Sequence, residues 1–136
     1  MLKVQDMDQL GGGVSIAPGA NSDLATDVDG GWVSAGDTVG PVQAICAAGA
    51  VTGTPDSFTV TFELWEADDS SGTNAQIVAD QRKPTLTAIN TYGVLHGQTS
   101  KPYVKVKIEA DDSSLTGGTS PTLDVGATVL YSKLQS

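Results

Sequence analysis

Strict alternation of apolar and polar residues over three long segments is the feature that most limits what this chain can fold into. Residues 57–67 read SFTVTFELWEA, residues 101–110 read KPYVKVKIEA, and residues 121–133 read PTLDVGATVLYSK. Successive side chains of a β-strand point to opposite faces, so a period of two places all the apolar residues of each segment on one side. The three segments are therefore predicted to be half-buried strands.

The alternation also divides core residues from surface residues. Val60, Phe62, Val106 and Val125 fall on the apolar sides and are predicted to lie in the core, whereas Thr61, Lys105 and Asp124 are predicted to lie outside it. Shorter apolar stretches at 13–17, 41–48, 75–79 and 85–95 indicate further strands, and clusters of Gly, Pro, Asp and Ser separate them. The sequence thus predicts an all-β chain: a single antiparallel β-sandwich, jelly-roll-like, of about seven or eight strands. A barrel is the close alternative.

Composition agrees with a chain of strands and turns. The 136 residues include 16 acids, of which 13 are Asp, together with 16 Gly. Asp hydrogen-bonds its own local backbone and settles in turns, whereas Glu favours helices. The length suits one domain, predicted at residues 13–136. Residues 1–12 are predicted to form an N-terminal arm that becomes ordered against a neighbouring molecule, using Leu2, Val4, Met7 and Leu10 as its apolar contacts.

One hexapeptide, EADDSS, occurs twice, at residues 66–71 and 109–114. A second pair of similar segments is TGTPDSFTV at 52–60 and TGGTSPTLDV at 116–125. The two pairs do not recur at the same offset, as a tandem duplication would require, so we interpret both as turns next to strands. In each EADDSS the Glu is predicted to be the last outward residue of a strand and the Ala the last inward one.

Charge and hydrophobicity argue against two classes of partner, nucleic acids and membranes. A formal net charge of −9, with six Lys and one Arg, does not favour binding to phosphate backbones, so no nucleic acid partner is expected. No apolar run is long enough for a membrane span, and the acidic start MLKVQDMDQL is unlike a signal peptide. We therefore expect no membrane partner and synthesis in the cytoplasm.

Candidate sites for metals and for catalysis are incomplete. Asp23, Asp27 and Asp29 could supply oxygens to calcium, but their segment lacks the full EF-hand pattern and we interpret it as a solvated or capping loop. Cys46 lies on the apolar side of its strand, where a thiol is normally inert, and turn residues surround the single histidine, His96. The chain is predicted to be no enzyme, with no catalytic residues, no metal and no cofactor.

The remaining candidates are partner-binding residues. Trp65 lies on the polar side of its strand, where it could be presented to a partner or covered by a loop. Lys101, Lys105 and Lys107 share one side of theirs, and could face an acidic surface or protect an edge strand from mispairing.

TGTPDSFTVTFELWEADD and LTGGTSPTLDVGATVLYS each run from a small-residue turn into an alternating strand. Over residues 49–136 the chain thereby resembles the small β-sandwich head decoration, or cement, proteins of tailed bacteriophages. The resemblance implies a non-enzymatic virion structural protein, made in the bacterial host cytoplasm and located on the capsid exterior. Its expected partner is the major capsid protein, and it is expected to be a homo-oligomer, a trimer or dimer. The alternative is a carbohydrate- or receptor-binding β-sandwich of a tail fibre or a secreted protein. Such sites usually have several aromatic residues on one exposed face, and the low total of seven aromatics in this chain speaks against it.

Overall fold

The structure is a computed structural model that describes residues 8–21, 30–35 and 40–134, with side chains at 12–19, 30–35 and 40–130. Its strands are β1 (Asp8–Asn21), β2 (Val33–Ser34), β3 (Gly40–Thr52), β4 (Ser57–Ala67), β5 (Gln76–Ile77), β6 (Gln81–Arg82), β7 (Thr85–Leu86), β8 (Thr91–Thr99), β9 (Tyr103–Ile108), β10 (Ser114–Thr116) and β11 (Thr122–Leu134). A 3₁₀ turn at Ala110–Asp112 separates β9 from β10.

The strands form two antiparallel sheets that pack against each other. The first has the order β1-β11-β3-β8-β6, and the second has the order β10-β4-β9-β2, with β5 and β7 also paired to β4. The predicted all-β sandwich is confirmed. The strands of the described residues exceed the predicted seven or eight because β2, β5, β6 and β7 have only two residues each. The predicted strand at 85–95 divides at Asn90, whose φ of +55° turns the chain between β7 and β8.

The core lies between the two sheets and contains the predicted residues. Val60, Phe62 and Val106 are 0% exposed and Val125 is 1% exposed. Thr61 lies outside the core, as predicted, but its side chain is only 4% exposed. The Thr61 hydroxyl lies 2.8 Å from the Thr85 hydroxyl and donates to the carbonyl of Asp112. Thus β7 and the 3₁₀ turn cover it, which alternation along β4 does not predict.

The first strand begins earlier than the sequence indicates. Asp8 pairs with Leu134, and the ladder with β11 continues to Asn21. Residues 8–12 of the predicted arm therefore belong to β1, because backbone pairing needs no apolar side chain. Gly12 has a φ of +130°, and a Cβ there would lie 1.9 Å from the carbonyl oxygen of Val129. Leu2, Val4 and Met7 lie outside the described residues, and Leu10 pairs with Ser132 with its side chain undescribed.

The two EADDSS segments follow a strand as predicted but adopt different conformations. In the first, β4 continues through Ala67 and the turn comes after it. In the second, β9 ends at Ile108 and the same letters form the 3₁₀ turn, with Ala110 exposed. The predicted orientation was wrong for Glu66, which is 3% exposed, and for Ala110, which is exposed, whereas Ala67 is buried at 0% exposure. Glu66 has an even number, like Phe62 and Leu64, and alternation alone already places it on their side of β4.

Three hydrogen bonds hold the Glu66 carboxylate, whereas its counterpart Glu109 forms a surface ion pair. The backbone N–H of Ser100 donates to Glu66 Oε1 at 2.7 Å, and Gln76 Nε2 and the Ser100 hydroxyl donate to Oε2 at 2.7 and 3.0 Å. Burial by itself raises the pKa of the Glu66 carboxyl, but these hydrogen bonds outweigh it and the pKa lies below its usual value. Glu109 accepts from Lys83 Nζ at 2.9 Å.

The other pair of similar segments meets at one end of the sandwich. The N–H of Thr119 donates to the carbonyl of Gly53, and the N–H of Asp56 donates to the carbonyl of Thr116. Gly118, with a φ of +72°, lies so close that a Cβ there would be 2.1 Å from the carbonyl oxygen of Gly53. These turns therefore support each other, and their likeness reflects a shared position rather than a duplicated half.

Gln81 connects the two sheets across a gap in the β4 ladder. Its backbone pairs with Gly97 in the first sheet. Its side chain extends to the second sheet, where Oε1 accepts from the N–H of Leu64 at 2.8 Å and Nε2 donates to the carbonyl of Leu64 at 3.1 Å. The amide oxygen thus supplies the acceptor for the Leu64 N–H, whereas the Leu64 carbonyl also accepts from the backbone N–H of Val78 at 3.0 Å.

We expect Gln81→Leu to lower the free energy of unfolding by about 1–3 kcal/mol, because it leaves the N–H of the buried Leu64 without an acceptor. Urea unfolding followed by circular dichroism measures this. Gln98→Leu is the matched control, since Gln98 is exposed on β8, and it should change stability by less than about 0.5 kcal/mol. Equal effects of the two substitutions would show that the Gln81 amide does not support β4.

Candidate functional site

The outward face of the second sheet brings tryptophan and lysine side chains together. On β4 the outward residues Glu63 and Trp65 stand opposite Lys107 and Lys105 of β9. Trp32 directly precedes β2, whose Val33 pairs with Val104, so Trp32 continues the row of Trp65 and Lys105. We call Trp32, Glu63, Trp65, Lys105 and Lys107 the Trp–Lys face.

Each lysine of this face lies over an indole ring. Lys107 Nζ is 4.5 Å from the centroid of the Trp65 ring, and Lys105 Nζ is 4.7 Å from that of Trp32. Both distances are in the range of cation–π attraction, which is worth roughly 0.5–1 kcal/mol at exposed sites. The rings thus hold two positive charges in fixed positions on a strongly acidic chain.

The two indole rings are themselves held in place, Trp65 by Glu63 and Trp32 by the turn that contains Gly72. Trp65 Nε1 donates to Glu63 Oε1 at 2.9 Å, so the indole has its polar edge satisfied within the face. Trp32 packs against Gly72, where a Cβ would lie 2.9 Å from Nε1 of the indole. Any side chain at residue 72 would therefore displace Trp32. The arrangement is a preorganised surface rather than a set of loose side chains.

The structure separates the predicted partner-binding residues into two groups. Trp65, Lys105 and Lys107 lie together and are half-buried, so Trp65 is neither fully presented nor covered by a loop. Lys101 departs from them, because it precedes β9 and its Nζ lies 3.3 Å from Asp68 Oδ1 and donates to the carbonyl of Asn74. Sequence reasoning missed Glu63 and Trp32. Glu63 could have been found from its position two residues before Trp65, but nothing local indicates the face on which Trp32 lies.

Cys46 and His96 do not form a catalytic pair. Cys46 points into the core at 0% exposure, and burial raises the pKa of its thiol to about 12, so the thiol stays protonated. His96 lies on β8 with its side chain exposed on the opposite side of the same sheet. The sheet itself stands between the two side chains.

His96 instead lines an open depression of about 380 Å³ at the β6 edge of the first sheet. Its other polar lining residues are Gln43, Asp80, Gln81, Arg82 and Gln98. Within the part of the chain described, no group of three His, Cys, Asp or Glu side chains could hold a metal ion. Asp23, Asp27 and Asp29 lie outside that part. None of the described residues belongs to a helix long and apolar enough to cross a bilayer.

Comparison of the chain with protein-family models, with curated proteins and with solved structures gave no match. The fold defines the class as an all-β sandwich of two antiparallel sheets. Function has to be argued from the surfaces that this sandwich presents.

Proposed function

We propose that this chain is a non-enzymatic structural protein of a virion, which binds the outer surface of a phage capsid through the Trp–Lys face. The observation that carries the proposal is the pair of lysines held over indole rings on one sheet face of a chain with net charge −9. The net negative charge of the chain repels an acidic surface, whereas this face offers two cations and the edges of two aromatic rings. Aromatic residues are enriched in protein interfaces, and complementary charge fixes their orientation.

A sheet face suits a broad protein surface better than it suits a small ligand. Trp65 and Trp32 have lysine ammonium groups over their rings, which a stacking sugar would have to displace. A carbohydrate- or receptor-binding role remains the second candidate because both tryptophans lie on one face. Glycan-array binding that Trp65→Ala abolishes would favour that candidate over capsid binding.

Co-sedimentation with shells of the major capsid protein from the same phage tests the proposal. We expect Lys105→Ala/Lys107→Ala to weaken binding about tenfold at low salt, because two charge contacts are lost, and the difference should shrink as salt rises. Thr87→Asp/Asn90→Asp is the control, since it makes the same change in net charge on the exposed loop between β7 and β8. Shells that bind the lysine variant and the wild type equally would exclude the Trp–Lys face, and shells that bind neither would overturn the capsid proposal.

The N-terminal arm is tested separately by removing residues 1–7, which leaves β1 complete. If Leu2, Val4 and Met7 fill pockets on the capsid, the truncated chain should keep its melting temperature and lose occupancy. If the truncated chain occupied the capsid as fully as the whole chain does, the capsid contacts would lie in the sandwich and not in the arm.

A further inference from the structure

The outward face of the first sheet carries apolar side chains that the core does not use. Val14 is 57% exposed, Ile45 41%, Tyr92 72% and Leu130 36%, and Val94 is half-buried beside them. Val14, Thr128, Ile45 and Val94 form one row across β1, β11, β3 and β8. Leu130 lies in the row on one side of it and Tyr92 in the row on the other. We call Val14, Ile45, Tyr92, Val94 and Leu130 the apolar face.

Charged residues are confined to the margins of this face. Among the acids whose side chains the structure describes, alternation places two on this side, Asp124 on β11 and Asp80 just before β6. Arg82 and His96 lie at the β6 edge. An apolar centre with charges at its rim is the composition of a protein interface, and the scarcity of acids removes the repulsion that another acidic chain would meet elsewhere.

The rim charges are placed so that two copies of the face complement each other. Arg82 lies in the row of Gln43 and His96, which is two residues along the strands from the row of Thr128 and Ile45. Asp124 lies on β11, four residues from Thr128 in the opposite direction along the strand. With strands about 4.8 Å apart and about 3.3 Å per residue, the midpoint between Arg82 and Asp124 falls among Ile45, Val94 and Tyr92. A two-fold axis that lies in the interface, passes through that midpoint and is perpendicular to the line from Arg82 to Asp124 brings each Arg82 to the partner's Asp124 position. Neither residue has an ion-pair partner among the described residues.

We propose that the apolar face is the interface of a symmetric homodimer, in which Ile45 and Tyr92 pack at the two-fold axis and Arg82 of each copy pairs with Asp124 of the other. A symmetric dimer uses one patch twice, so the patch must complement itself, as this one does. The inference does not depend on capsid binding, because it uses the opposite side of the sandwich from the Trp–Lys face.

The size of the face sets the expected strength. Five strands span about 20 Å and the outward rows extend about 20 Å along them, which gives roughly 400 Å² of plane per copy. Stable interfaces bury about 800 Å² per partner, so we expect a dissociation constant in the micromolar range. On a capsid, where copies are concentrated, such a dimer would be fully formed.

Sedimentation equilibrium of the purified chain from about 1 to about 100 µM tests the proposal. The wild type should pass from monomer to dimer across this range, whereas Ile45→Asp should stay monomeric. Ile77→Asp is the matched control, because Ile77 is 44% exposed on the other sheet and the change in charge is the same. Circular dichroism and melting establish that each variant is folded. A wild type that is monomeric throughout, or a dimer that Ile45→Asp leaves intact, would overturn the proposal.

A charge exchange tests the arrangement of the two copies. Arg82→Asp and Asp124→Arg should each weaken the dimer about tenfold or more, because each places like charges together. The double variant should associate nearly as tightly as the wild type. A double variant as weak as the singles would show that Arg82 and Asp124 do not face each other, and would overturn this geometry.

Discussion

Alanine at Phe62 is expected to cost about 3–5 kcal/mol of stability, the largest effect of any single truncation proposed for this chain. Phe62 lies in the middle of β4 opposite Ile108 and is 0% exposed, so its removal leaves a cavity that neighbouring strands cannot fill. A domain of this size has a total stability of roughly 5–15 kcal/mol, so the variant would approach unfolding at room temperature. The urea midpoint, at unchanged slope, measures the loss.

Thr59→Ala is the control on the same strand, since Thr59 is half-exposed on the outward side and should cost less than about 0.5 kcal/mol. Thr61→Ala should fall between the two, at about 1 kcal/mol, because it removes the hydrogen bonds to Thr85 and Asp112. If Thr59→Ala were as costly as Phe62→Ala, the register of β4 described above would be wrong.

Alanine at Glu66 is expected to cost about 2–4 kcal/mol at neutral pH, because hydrogen bonds to a charged acceptor are worth about 1.5–3 kcal/mol each and several are lost together. The Ser100 N–H and the Gln76 amide would lose their acceptor at the end of the sandwich. Glu109→Ala is the matched control, with the same hexapeptide around it. Its ion pair with Lys83 is partly exposed and should be worth less than about 1 kcal/mol.

The pH dependence of the Glu66 effect has a definite sign. Its pKa is lower in the folded chain than in the unfolded chain, so the carboxylate stabilises the fold fully above its unfolded pKa. This contribution is lost as the pH falls through the folded pKa, which lies below the usual value of a glutamate. The stability difference between wild type and Glu66→Gln should therefore shrink on acidification in urea melts. If the stability difference stayed constant or grew on acidification, the hydrogen bonds to Glu66 would not depend on the charge of its carboxylate.

The two faces of the sandwich suggest a division of roles. The Trp–Lys face combines fixed cations with aromatic rings, whereas the apolar face has little charge and is self-complementary. Under our two proposals the first binds the capsid and the second binds another copy. Each is tested by variants that leave the other face unchanged, so either can fail alone.

The sequence by itself determined the fold class and most of the core. Alternation is a local property: a side chain two residues along a strand lies on the same face whatever the strand pairs with. Phe62, Val106 and Val125 could therefore be assigned to the core without knowing any strand order. The side shared by Lys105 and Lys107 followed from the same pattern.

Only the tertiary structure decided which strands are neighbours and what covers their outward sides. The pairing of β1 with β11 joins residues more than a hundred positions apart, which no local pattern specifies. Burial of Thr61 depends on β7 and the 3₁₀ turn, and Trp32 reaches Lys105 only because β2 pairs with β9. The two EADDSS segments show the limit most directly. Identical letters give a buried, hydrogen-bonded Glu66 and a surface Glu109, because the partners that each segment meets come from distant parts of the chain.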